Sequence, residues 1–143
     1  MAENYMSNTP PPLAGVTAHL TCDGAEAAIE QYKKAFNAEL LAQMVGEDGK
    51  IIHACVVINE CAVYLHDAWP ENDVLDPNAR GGCSVNMHLQ LKAPKDVDSW
   101  HDQAVSAGMT SKMAPEDMFW GDRYAEVKDM CGHVWAFGAP VKS

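Results

Sequence analysis

An α+β fold built from two consecutive βαβββ units is predicted by three observations. A strand-like alternation followed by an amphipathic helical pattern occurs twice, from Val16 to Phe36 and again from Cys83 to Ala107. Each occurrence leads into three further strand-like segments, and an unpatterned polar link, Asp67 to Gly82, separates the two. Units of the same order with little direct identity read as an internal duplication, and each half is too small to bury its own sheet face. Eight strands are therefore expected to curl into one cupped sheet around a shared cleft, with the helices outside.

Val16 to Cys22 sets Val, Ala, Leu and Cys against Thr17, His19 and Thr21, a strand with one apolar face. Asp23 is expected to cap the first helix, with Glu26 completing a capping box. Ala25, Ala28, Ile29, Tyr32 and Phe36 form its buried face, and Asn37 stands where a left-handed C-cap is wanted. Strands follow at Leu40 to Val45, Ile51 to Ile58 and Cys61 to His66. Asn59-Glu60 reads as a two-residue hairpin turn, which sets Ile58 opposite Cys61 and Cys55 opposite Tyr64, so Cys55 and Cys61 do not bridge. The second unit opens with Cys83 to Lys92, whose polar face carries Ser84, Asn86, His88 and Gln90; His19-Leu20 recurs as His88-Leu89. A helix from Pro94 or Asp96 buries Val97, Trp100, Ala104 and Ala107 and ends at Gly108, and three shorter strands complete the chain. The predicted organisation is an arm over 1–14 and a single domain over 15–143. Within that domain, module one covers 15–67, the link 68–82 and module two 83–140.

The composition narrows the function. With 143 residues, 48% hydrophobic and 21% charged, the chain suits one globular domain, and no apolar run approaches the ~20 residues of a membrane span. A net charge of −10 without clustered Lys or Arg excludes nucleic acid and an anionic membrane surface as partners. Five cysteines without C-x-x-C spacing fit a reducing cytoplasm better than a disulfide framework. The opening MAENYMSNTPPPLAG has neither the basic nor the apolar region of a secretory signal and reads as an extended, flexible arm.

The most distinctive stretch is Pro115 to Gly138, PEDMFWGDRYAEVKDMCGHVWAFG. Arg123 to Asp129 and His133 to Gly138 alternate as two half-buried strands around the turn Met130-Cys131-Gly132. Before them, Phe119 and Trp120 precede the pivot Gly121, an arrangement suited to a flap over a cleft. The run PEDMFWGDRY resembles the PhnB-like branch of the vicinal-oxygen-chelate superfamily. So do the following D-x-x-G-H-x-W, Tyr32-Lys33-x-x-Phe36 and Gly49-Lys50-Ile51-Ile52-His53-Ala54. That superfamily also holds glyoxalase I, bleomycin-resistance proteins and extradiol dioxygenases, and the resemblance spans roughly residues 15 to 140.

In that superfamily metal ligands come from the first and fourth strands of each unit. The resemblance maps those positions onto Thr17, Tyr64, Asn86 and Ala136, none of them a usual strong ligand, and alanine offers no donor atom. The usual metal site is therefore not expected. His19, His66 and His88 each lie two residues beyond a nominal position and share its face, about 6.6 Å along the strand. With Glu126 they define an alternative, displaced site suited to zinc, nickel, iron or manganese. Tyr124 shares the parity of Glu126. His53 is assigned to packing, His101 to the surface, His133 to the turn, Arg123 to an ion pair with Asp122, Asp117 or Glu116, and Cys22 and Cys83 to small hydrophobes.

Two functions are carried forward. The first is a small-molecule binding protein without the usual metal, comparable to the sequestering bleomycin-resistance members. Its cleft is lined by Thr17, His19, Tyr64, His66, Asn86, His88, Tyr124 and Glu126 and lidded by Phe119 and Trp120. The second is a metal-dependent lyase, isomerase or dioxygenase acting on a vicinal-oxygen substrate through the displaced histidines, with Glu126 as base or ligand. The ubiquinone-pathway methyltransferase label given to some proteins of this appearance lacks a glycine-rich strand-to-helix turn here, and no basic pocket for a phosphonate stands out. The resemblance also implies a homodimer.

Overall fold

The computed structural model describes residues 3–6 and 15–141. The first module contains β2 (His19–Cys22), α1 (Ala25–Phe36), β3 (Glu39–Val45), β4 (Ile51–Ile58) and β5 (Cys61–Asp67), preceded by a short β1 (Glu3–Met6). The second contains β6 (Asn86–Gln90), α3 (Pro94–Ser106), β7 (Thr110–Asp117), β8 (Asp122–Lys128) and β9 (Val134–Pro140). The strands make two sheets, ordered β1-β3-β4-β5-β2 and β6-β9-β8-β7, rather than one continuous eight-stranded sheet. In each, the module's first strand runs parallel to its last, β2 beside β5 and β6 beside β9, which the intervening helix permits, and the other pairs are antiparallel. Within the expected arm, Glu3–Met6 pairs antiparallel with β3 and extends the first sheet by one strand.

One core serves both sheets. Leu20, Cys22, Ala54, Val56 and Leu65 from the first sheet and Leu89, Ala125, Val127, Trp135 and Phe137 from the second pack around Tyr32, Phe36 and Val97 of the helices. Phe36 of α1 lies 5.0 Å from Trp135 and 5.9 Å from Trp100, ring centre to ring centre, so aromatic contact joins the modules. Both main helices, α1 and α3, pack on the core side, and among the described residues neither covers the opposite face of its sheet.

The first hairpin has the predicted register, Ile58 opposite Cys61 and Cys55 opposite Tyr64, and Asn59 and Glu60 both take positive φ. Asn37 caps α1 in the left-handed conformation. The N-terminus of α1 departs from expectation, since Gly24 and not Asp23 is its cap residue, with no side-chain cap of its own. Asp67 caps the helix from the end of β5, its carboxylate accepting from Gly24 N at 3.1 Å, Ala25 N at 2.8 Å and Ile51 N at 2.7 Å. A buried carboxylate from a distant strand thus replaces the local capping box. The link is also less plain than its composition indicates. It contains α2 (Pro77–Arg80), N-capped by Asp76, which docks on the β8–β9 turn through Asn78 N to Cys131 O (3.2 Å) and Asn78 Nδ2 to Met130 O (2.9 Å). Gly132 at φ 95° makes that approach feasible, because a Cβ there would lie 2.5 Å from Asn78 Oδ1.

Candidate functional site

On β2, β4 and β5 the side chains facing away from α1 converge. His19 lies 4.8 Å from His66, 5.7 Å from His53 and 5.8 Å from Tyr64, ring centre to ring centre, all edge to face. Tyr64 also meets His53 at 4.9 Å, and Trp69 stacks on His66 at 5.3 Å. The alternation of the strands produces this: Leu20, Ala54 and Leu65 point to the core, so His19, His53, Tyr64 and His66 point away. Beside Tyr64 a small apolar patch of Leu41, Cys55, Ala62 and Val57 continues the sheet. Burial first, then the neighbouring His66 and His53, lower the pKa of His19 below its ordinary value. His66 Nδ1 is tied to its neighbour's carbonyl, Asp67 O, at 2.8 Å.

The second sheet carries a different set. Tyr124 Oη donates to Glu126 Oε2 at 2.8 Å, and Lys112 Nζ lies 3.8 Å from Glu126 Oε1. Burial, then the hydrogen bond to Glu126 and that carboxylate's charge, push the Tyr124 hydroxyl up to about 12, against an opposing hydrogen bond with Asn86. His88 stacks on Tyr124 at 6.2 Å and bonds Gln90 Oε1 at 2.9 Å. Its ring lies over Gly138, where a Cβ would come within 2.9 Å of His88 Cε1, so this face depends on a glycine. Trp120 meets Tyr124 at 5.8 Å and Phe119 meets Trp120 at 5.2 Å. Phe119 is 96% exposed and Trp120 49%, so both stand proud of the fold on the β7–β8 turn instead of plugging a core.

The model of the Glyoxalase/Bleomycin resistance protein/Dioxygenase superfamily matches residues 14–137. The chain belongs to this superfamily. An uncharacterized protein of Mycobacterium bovis is 42% identical over 130 residues, covering 89% of this chain and 84% of that protein. Among solved structures, a glyoxalase/bleomycin resistance protein/dioxygenase from Nocardioides superposes with a TM-score of 0.68 at 20% identity, covering 95% of this chain and 89% of that one. A PhnB protein from Bacillus cereus, also named for a 3-demethylubiquinone-9 3-methyltransferase, gives 0.67 at 16% identity, covering 88% and 99%. The fosfomycin resistance protein FosX of Listeria monocytogenes gives 0.67 at 11% identity, covering 90% and 92%. At these identities the structural matches establish the fold alone.

Residues of this superfamily member at the positions matched to metal ligands do not fit a metal. Thr17 lies just before β2, Tyr64 is engaged with the imidazoles, Asn86 is exposed on the edge strand β6, and Ala136 is buried and without a donor. The displaced set is not brought together within one chain. His19 and His66 meet on the first sheet, whereas His88 and Glu126 belong to the second. Among the described residues, no three His, Cys, Asp or Glu side chains converge on a position suited to a metal ion.

Several residues that the sequence reading set aside behave differently. His53 belongs to the imidazole cluster, and the predicted hairpin register contained the signal: two residues back from Cys55 opposite Tyr64, His53 falls opposite His66. His101 is buried, bonded to Ser111 Oγ at 2.7 Å and Asp102 Oδ1 at 3.1 Å, because α3 packs that face on β7. His133 is also buried; its Nε2 reaches Thr21 O at 2.8 Å and ties the modules together. Arg123 does form a structural ion pair, with Asp117 at 2.9 Å as expected and with Asp98 of α3 through two further 2.9 Å contacts that sequence order conceals. Cys22 is buried, but Cys83 is exposed. Trp69, Gln90, Lys112 and Lys128 carried no local motif that marked them.

Proposed function

We propose that this superfamily member binds a small molecule on the two helix-free sheet faces, without the usual metal site, and works as a homodimer in the cytoplasm. The observation that carries this reading is the cluster of His19, His53, Tyr64, His66 and Trp69, five ring side chains gathered on a face that no helix covers. Such rings would hold a ligand by edge and face contacts and by imidazole hydrogen bonds that either tautomer supplies. Asn86, His88, Tyr124 and Glu126 supply the second face, with Phe119 and Trp120 as its exposed lid, and Thr17, just before β2, stands at the margin of the first. Glu126 is the residue placed to accept a proton should the bound molecule react, although Tyr124 and Lys112 already engage both of its oxygens. A cytoplasmic setting agrees with five free cysteines. The PhnB-like branch rests on PEDMFWGDRY and on the fold shared with the Bacillus cereus protein. A metal-dependent lyase, isomerase or dioxygenase would need donors that the described residues do not group.

The test is a thermal-shift screen of a metabolite library on wild type and on His19→Ala, His53→Ala and Trp120→Ala, with metal analysis of protein purified without chelator. The reading predicts stabilising compounds whose effect shrinks in the variants, and no stoichiometric metal. Stoichiometric zinc, nickel, iron or manganese that disappears in His19→Ala would overturn the metal-free reading. Light scattering checks the dimer separately, with a monomeric mass counting against it.

A further inference from the structure

The second sheet face has a polarity that the first lacks. Along β8, Tyr124, Glu126 and Lys128 alternate with the fully buried Ala125 and Val127, so the three share the helix-free face. Their partners across β9 are Gly138, Ala136 and Val134, and across the next pair His88 lies opposite Ala136 and Gln90 opposite Gly138. The face therefore has small residues on β9, buried beneath the taller side chains of β6 and β8. At one end stands an aromatic ladder, Phe119 to Trp120 to Tyr124 to His88, stepping 5.2, 5.8 and 6.2 Å. At the other end Lys112 and Lys128 line one hollow of about 390 Å³ with Asn78, Cys83 and the Gly81-Gly82 backbone.

Charge distinguishes this end. The chain has 20 acidic and 10 basic residues, yet the hollow contains two lysines and no carboxylate. Glu126 on the same face is already engaged by the Tyr124 hydroxyl and by Lys112, while Lys128 makes no ion pair among the described residues. From Tyr124 to Lys128 the strand rises about 13 Å, enough for a ring at one end and an oxyanion near the other.

We infer that this face takes an arylalkanoic acid, a planar aromatic ring joined by a short chain to a carboxylate, lying along β8 with the ring against Trp120 and Tyr124 and the carboxylate between Lys112 and Lys128. The inference rests on the binding reading above and adds its ligand class. The ring gains contact with an amphipathic aromatic wall, and the carboxylate meets two ammonium groups, of which that of Lys128 has no ion pair among the described residues. The lysines are well separated in sequence, which is why no basic pocket stands out there.

The probes are three arylpropanoic and arylbutanoic acids, their primary amides, and the cyclohexyl analogue of each acid, measured by titration calorimetry on wild type, Lys128→Gln, Lys112→Gln and Trp120→Ala. Each acid should bind more tightly than its amide and than its cyclohexyl analogue. Lys128→Gln should weaken the acids about fivefold and leave the amides unchanged, and Trp120→Ala should weaken acids and amides alike. Added salt should weaken the acids only. Equal binding of acid and amide, an acid preference that survives Lys128→Gln, or no acid bound at up to about 1 mM each overturns the inference. Failure of the inference is separable from failure of the binding reading. Neutral or cationic library compounds that depend on His19 and Trp120 but not on Lys128 would sink the first and keep the second.

Discussion

Replacing Asp129 should damage stability more than almost any other single change, although the residue touches neither candidate face. Its carboxylate accepts four hydrogen bonds: Tyr32 Oη at 2.6 Å and Trp135 Nε1 at 2.9 Å on one oxygen, Cys131 N at 2.9 Å and His133 N at 3.0 Å on the other. All four donors belong to buried residues, so Asp129→Ala leaves them without an acceptor and without ready access to water. A hydrogen bond to a charged group contributes about 1.5–3 kcal/mol, but four in one network do not add, and a loss of about 4 kcal/mol is expected for Asp129→Ala. Asp129→Asn keeps the shape and one good acceptor yet turns a donor toward donors, and should cost about 2 kcal/mol. Against the ~5–15 kcal/mol of an ordinary domain, the alanine variant should be marginal. Urea unfolding followed by tryptophan fluorescence reads both variants, with Tyr32→Phe and the double variant completing a cycle. A loss below about 1 kcal/mol for Asp129→Ala, or strict additivity with Tyr32→Phe, would refute the claim that this carboxylate fastens α1 to the second module.

Other outcomes follow from the same geometry. Burial and the Asp129 charge raise the Tyr32 pKa, so stability is complete below the ordinary tyrosine value near 10 and should fall as pH rises above it; Tyr32→Phe should remove that part of the alkaline loss in pH-dependent denaturation curves. The lowered pKa of His19 works in the other direction: its contribution is present above about 6.5 and lost as pH falls through the lowered value, and an NMR titration should move His19 back upward in His66→Ala. A thiol-reagent time course on folded protein should report Cys61 and Cys83 quickly, with Cys22, Cys55 and Cys131 reacting only on unfolding; fast reaction of Cys22, whose pKa is raised by the Cys131 thiol and by burial, would contradict the packing. Phe119→Ser should leave the unfolding free energy from urea titration within about 0.5 kcal/mol of wild type, because the ring is exposed.

How much of this was legible in the sequence depends on the range of the interaction that decides each feature. Period-2 and helical alternation are local, and they sufficed for both modules, both main helices and the hairpin register of Cys55 and Tyr64. Asn37 as a left-handed cap is also local, and it stands. The cap of α1 is not, because Asp67 reaches it from the far side of the module and outcompetes the local Asp23 and Glu26. His101 looked like a surface residue because the helical pattern identifies a face but not which neighbouring strand covers its margin; β7 does, through Ser111. Glu126 and Tyr124 were reached by strand parity alone, whereas their ties to Lys112 and Asn86 required the pairing of β7, β8 and β9 and the position of β6.

Two modules of the same element order present two very different surfaces in one chain. The core side of both modules is constrained by a shared cluster around Tyr32, Phe36, Trp135 and Phe137, and any change there is felt by both halves. The sides facing away from that cluster carry different side chains: imidazoles and Trp69 on the first, an aromatic ladder at one end and two lysines at the other on the second. At equivalent strand positions the modules match at His19 on β2 and His88 on β6 and differ at their strand partners, Tyr64 on β5 and Ala136 on β9. A symmetric metal site needs like donors from both modules, and Tyr64 and Ala136 are not like donors. An asymmetric molecule suits the result better, one part aromatic and one part anionic. The acid, amide and cyclohexyl series tests that consequence directly, since each comparison removes one of the two parts and leaves the other in place.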